Sequence, residues 1–168
     1  LLAAYQEVQK LALLFPPGKL EFEQVRESVF DVARFDVFDL GAILIAGDAQ
    51  HLARVLDGLQ GEGTAPPLVL WAVTEEIRAV ARLLAALAAS RPAPQAMREA
   101  RIWGTTRQNL MQRHINRFTS RQTEEALVHA AGIDRIIKGL AKGDVWDELL
   151  QLGLRFAQAP RASAVKTR

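Results

Sequence analysis

The chain has 168 residues, 49% hydrophobic and 24% charged, with a net charge of +2. That length suits one domain, or one domain with part of another, and the apolar fraction is enough for a buried core. The absence of cysteine excludes disulfides and thiolate metal sites and fits a reducing cytoplasm. No apolar run reaches the roughly 18 charge-free residues of a membrane span, so none is predicted.

Leu1, Leu2, Tyr5, Val8 and Leu11 recur at helical spacing, and Phe15-Pro16-Pro17-Gly18 ends that helix. The N-terminus has no basic leader, carries an acid at Glu7 and starts in mid-helix pattern without Met; it reads as part of a longer chain. Phe22, Val25, Val29 and Phe30 mark a short second helix. After a junction at 34–38, Asp36 is placed to cap a third helix, with Asp39 in its first turn and Val37, Leu40, Ile43 and Leu44 on one face. Gly47-Asp48 closes it and caps a fourth, striped by Leu52, Val55, Leu56 and Leu59.

Pro66-Pro67 suit a helix's first turn, where the missing N–H is not needed, and open a long amphipathic helix to Ala89. Its apolar face includes Leu68, Trp71, Val80 and Leu83. Arg91-Pro92-Ala93-Pro94 breaks it before a short helix near 96–100. A helix over 105–118 follows, with Leu110, Met111, His114, Ile115 and Phe118 inward. Thr119 and Gln122 have capping-box spacing for the next, whose stripe runs from Ala126 to Leu140. Gly143-Asp144 starts the last, carrying Leu149, Leu152 and Phe156. No segment alternates apolar and polar residues, so the fold class is all-α: a helical bundle with antiparallel neighbours.

Chemical motifs are missing. There is no G-x-x-x-x-G-K-[ST] and no G-x-G-x-x-G. His51, His114 and His129 lack the i, i+4 spacing of a helical metal pair. Glu75-Glu76 and Glu124-Glu125 are adjacent, so each pair diverges by about 100° on its helix and is expected on solvated faces. Charge is uneven: residues 1–84 hold 7 Lys/Arg against 12 Asp/Glu, a net of −5, and residues 85–168 hold 14 against 7, a net of +7. Two readings are open: contact with nucleic acid or an acidic protein face, or ordinary solvation of different faces. Arg98, Arg101, Arg107, Arg113, Arg117 and Arg121 lie around Trp103. Arginine on phosphate and an aromatic ring on a base are the ingredients of single-strand binding. The alternative is a Trp103 that fills a gap between helices.

Several segments stand in a recognisable order: Phe35-Asp36-Val37-Phe38-Asp39-Leu40, Gly61-Glu62-Gly63-Thr64-Ala65-Pro66, the helix from Leu68 to Arg78, Arg101-Ile102-Trp103, Asn116-Arg117-Phe118, and Asp144-Val145-Trp146-Asp147-Glu148-Leu149. Together they resemble the C-terminal part of the delta subunits of bacterial DNA polymerase III clamp loaders, from about Leu1 to Phe156. The resemblance implies that residues 1–36 end an AAA+-type lid domain, 37–160 form a helical collar used for oligomerisation, and 161–168 are a disordered tail. It implies no catalytic residue, no metal and no cofactor, because the family's delta subunit does not hydrolyse ATP. The partners it implies are the delta prime and gamma/tau subunits, joined in a ring of five, and primed template DNA. The sliding clamp would be met only through an N-terminal domain outside this chain.

A collar aromatic that the family places near the template strand falls on Trp103, with Arg101 and Arg107 beside it in sequence. A second, a tyrosine four residues before the Val-Trp pair, falls on Ala141, which puts a DNA contact by that last loop in doubt. Trp71, Glu75, Arg78 and Arg82, at helical spacing, are the candidates for subunit contact; the alternative for Trp71 is a place in the core. An interface of this kind buries roughly 800 Å² per partner. The rival expectation is a stand-alone helical module that binds nucleic acid through its basic half.

Overall fold

The computed structural model describes residues 36–157, with Ala12, Gly18 and Lys19 as isolated positions before them. The chain divides into two compact units, Leu1–Arg34 and Phe35–Arg168, and residues 36–157 belong to the second. Apart from Ala12, the helices expected over 1–14 and 22–30, and the tail at 161–168, lie outside the described residues.

Among the described residues all regular structure is helical, as the periodicity predicts. The helices are α1 (Asp39–Ala46), α2 (Ala49–Gly61), α3 (Pro66–Ala88), α4 (Ala93–Glu99), α5 (Thr105–His114), a 3-10 turn (Ile115–Arg117), α6 (Ser120–Ile137) and α7 (Val145–Ala157). Their ends follow from side-chain chemistry. The Asp48 carboxylate accepts the His51 amide at 2.9 Å and caps α2. Thr119 and Gln122 form a complete capping box on α6. One oxygen of Asp144 accepts the amides of Trp146 and Asp147, both at 2.9 Å, and caps α7. Gly47 closes α1 at φ 78°, where any side chain is strained.

Three expectations shift by a turn. Asp36 accepts the Phe38 amide at 2.8 Å, so it shapes the turn before α1 while Phe38 occupies the cap position. The helix predicted over 105–118 tightens after His114 into a 3-10 turn, and Phe118 is extended. The break leaves Met111, Ile115 and Phe118 buried, and Phe118 stacks on Phe156 with ring centres 4.8 Å apart. α6 ends at Ile137, and Leu140, expected in its stripe, stands 67% exposed in the following loop.

α3 is the central helix. Val69, Val73, Ile77, Val80 and Leu83 are buried along it, and it packs on α6 and also meets α1, α4 and α7. α7 packs between α6 and α2. At the α2–α7 crossing, a Cβ on Gly153 would lie 2.6 Å from Leu52 Cδ2, and Leu52 is fully buried. Gly153→Ala should therefore destabilise, although alanine favours a helix by about 1 kcal/mol. Overpacking costs roughly 1–3 kcal/mol, so a net loss of about 1 kcal/mol is expected in denaturant unfolding. A more stable variant would contradict this close approach.

Candidate nucleic-acid and subunit interface

The segment between α4 and α5 is a rigid knuckle. The Ile102 amide donates to the Met97 carbonyl at 2.9 Å and the Arg101 amide to Arg98 at 3.0 Å, the paired bonds of a Schellman closure. That closure needs a left-handed residue, and here it is Arg101, at φ 59°, where glycine is usual. Ala100 and Ile102 are completely buried, and Gln108 donates to the Ile102 carbonyl at 3.1 Å. With the backbone pinned on both sides, Trp103 is turned outward, 61% exposed. It plugs no gap between helices. Arg101 is exposed beside it in sequence, with no ion pair among the described residues.

The surrounding arginines have separate fates. Arg107, expected beside Trp103 as a nucleic-acid contact, places its guanidinium 2.7 Å from the Glu76 carboxylate. Glu76, expected on a solvated face, is only 7% exposed. It sits about 100° around α3 from Glu75, which carries it under α1, where a Cβ on Gly41 would lie 2.8 Å from its oxygen. Burial raises the Glu76 pKa above its ordinary value, and Arg107 opposes the rise. Arg117 donates to the carbonyls of Ala46 at 2.9 Å and Ile45 at 3.3 Å and also to that of Ala157. Arg121 pairs with Glu125 on the open surface of α6. Arg98, Arg101 and Arg113 remain exposed without an ion pair among the described residues.

A second surface lies on α3. Trp71, placed by periodicity on its apolar face, is 50% exposed and meets the edge of Phe38, itself 68% exposed, with ring centres 6.4 Å apart. Leu68, one turn earlier, is also exposed. On one side of this ridge runs a groove of about 380 Å³ walled by Phe38, Ala72, Thr106 and Leu110. On the other runs one of about 490 Å³ walled by Leu70, Arg78, Leu127 and Asp134. Glu75 pairs with Arg78 at 2.8 Å and reaches Arg82 at 3.9 Å. The four candidate residues of α3 are thus one neighbourhood, with Trp71 between the two grooves. Nothing in the sequence signalled Phe38, because its exposure depends on where α1 begins.

No family model matches the chain. It is 28% identical over 162 residues to DNA polymerase III subunit delta of Escherichia coli, covering 96% of this chain and 47% of that protein. It is 29% identical over 164 residues to the protein of the same name from Haemophilus influenzae, covering 93% and 47%. Nearly the whole chain is thus similar to two proteins named DNA polymerase III subunit delta. It spans about half the length of these curated relatives. Of the six ordered segments that carry the delta-subunit resemblance, followed from Asp36 onward, five fall on structural junctions: the turn into α1, the loop into α3, the knuckle, the 3-10 turn and the cap of α7; the sixth, Leu68 to Arg78, lies within α3. Among the described residues no helix is long and apolar enough to cross a membrane, and no group of three or more His, Cys, Asp or Glu is placed to hold a metal.

Proposed function

We propose that this chain is the non-catalytic collar part of a clamp-loader delta subunit, working in sliding-clamp loading during DNA replication. Residues 1–36 would end the AAA+-type lid and 37–160 form the collar, in a cytoplasmic assembly with delta prime and gamma/tau subunits. Clamp contact would belong to another part of the subunit. The observation that carries the reading is the Phe38–Trp71 ridge between two grooves: large aromatic rings left half in water mark a partner surface. Trp71, with Glu75, Arg78 and Arg82 beside it, would meet a neighbouring subunit. Trp103 and Arg101 would meet primed template DNA where it leaves the loader, and Arg107, through Glu76, would hold α5, the helix that follows them.

Two substitutions separate these roles. Trp71→Glu should weaken co-elution of the chain with the other loader subunits on a sizing column. Trp103→Ala should leave assembly intact and lower the reassembled loader's affinity for primed template by roughly tenfold, the worth of one stacked base. Unchanged DNA affinity would remove Trp103 from the contact, and unchanged assembly would remove Trp71.

A further inference from the structure

From Ala100 to Thr123 the sequence holds five arginines and no carboxylate. α5 lies inside this stretch. Thr105, Asn109, Gln112 and Asn116 recur at i, i+4, i+7 and i+11, which makes a single stripe along the helix and the 3-10 turn after it. All four are exposed, Arg113 is exposed beside them, and none of the five side chains has a hydrogen bond or ion pair among the described residues. An ordinary solvated helix face mixes both signs of charge, as α6 does with its Arg121–Glu125 and Asp134–Lys138 pairs. The α5 face differs: it offers amides, a hydroxyl and a guanidinium, and nothing that repels an anion.

These are the side chains that bond phosphate and sugar oxygens without reading sequence. The stripe begins at the knuckle, where Trp103 presents its ring to solvent. An aromatic face stacks on a base only when that base is free of its own duplex stack. α5 is about 15 Å long, which at about 3.4 Å per stacked nucleotide accommodates roughly four nucleotides. We propose that single-stranded nucleic acid runs along the exposed face of α5, its backbone on Asn109, Gln112, Arg113 and Asn116, starting from a base stacked on Trp103. The anchoring base rests on the role proposed above for Trp103; the path along α5 is new.

The test is fluorescence anisotropy of a short labelled oligodeoxythymidylate with the full chain, free and in the reassembled loader. Gln112→Glu with Arg113→Glu puts carboxylates on the stripe while keeping good helix formers, and circular dichroism checks the fold. This double variant should lose roughly tenfold or more in affinity and flatten the slope of log K against log salt by about 1. Arg135→Glu, which carries the same charge reversal as Arg113→Glu but on exposed α6, should leave affinity within about twofold. Oligouridylate should bind about as well as oligodeoxythymidylate, since neither backbone contact nor stacking needs the sugar's identity, and blunt duplex should bind roughly tenfold more weakly. If Trp103→Ala weakens binding and the α5 variant does not, the path along α5 is overturned and the Trp103 contact stands. If the α5 variant weakens binding and Trp103→Ala does not, the anchoring base falls and the path as stated falls with it. No effect from either, duplex binding as tight as single strand, or an equal loss with Arg135→Glu would overturn the proposal.

Discussion

Arg117→Met is expected to lower the unfolding midpoint by about 10 °C, equivalent to about 3 kcal/mol in a chain of this size. Methionine keeps most of the side-chain stem and removes the guanidinium. That group serves the C-terminal ends of two helices at once: the carbonyls of Ile45 and Ala46 at the end of α1, and that of Ala157 at the end of α7. Carbonyls in a last turn have no partner within their own helix, and the helix dipole favours a cation there. Gly47 completes the arrangement, since a methyl at that position would run into the Arg117 guanidinium. The variant therefore strands three acceptors where α1, α7 and the 3-10 turn meet. His114 offers a second readout. Burial first, then the charges of Arg117 and Arg113, hold its pKa below the ordinary 6.5. A histidine depressed in the fold contributes stability above about 6.5 that is lost as pH falls through its folded value. Without Arg117 the depression shrinks, so the acid loss should shrink too. A midpoint shift of under about 2 °C would show that solvent serves those carbonyls equally well.

Arg107→Ala should cost about 2–3 kcal/mol at neutral pH, and the loss should fade on acidification. Breaking a fully buried ion pair costs roughly 3–5 kcal/mol, chiefly because the remaining charge is stranded. Here the carboxylate side of the pair is 9% exposed but Arg107 is 39% exposed, so solvent screening reduces the figure. The sign with pH is set by Glu76. Its pKa is raised by burial and lowered by Arg107, so the variant raises it further. A raised carboxylate penalises the folded state most above its folded pKa, and the penalty vanishes as pH falls towards the ordinary 4.5. The gap between variant and wild type should therefore close between neutrality and about pH 4.5, measured by urea midpoints at each pH. A constant gap would mean that the ion pair acts through packing alone. Glu76→Gln tests the same pair from the other side: it should flatten the pH dependence.

Most of the helical layout was legible because its signals are local. Prolines at 66 and 67, Gly47-Asp48, the Thr119–Gln122 box and Asp144 each fix a helix end through neighbours within four residues. What the sequence hid was decided by contacts far along the chain. Arg117 lies 71 residues from Ala46 and 40 from Ala157, so a basic cluster around Trp103 concealed a residue that holds helix ends together. Arg107 lies 31 residues from Glu76, and neither the burial of that glutamate nor the diversion of that arginine shows in helical spacing. Leu140 continues an apolar rhythm but falls past Gly139, whose φ of 71° had already ended the helix. Trp71 and Leu68 follow the apolar pattern of α3 and yet face outward, because α6 and α1 leave that stripe partly uncovered. That mismatch between pattern and burial is what supports the partner surface proposed for α3.

The candidate contact surfaces were legible in part for the same reason. Trp103 was visible as an aromatic among arginines, and its outward orientation follows from the flanking buried Ala100 and Ile102. Phe38 was not visible as a partner of Trp71, since only the turn made by Asp36 brings the two rings together. The measurement that tests the central reading most directly is a sizing-column mixture of this chain with delta prime and gamma/tau subunits. Co-elution in one complex, weakened by Trp71→Glu and indifferent to Trp103→Ala, is the predicted result. A wild-type chain that elutes alone while still binding primed DNA would contradict the collar assignment and favour a stand-alone nucleic-acid-binding module.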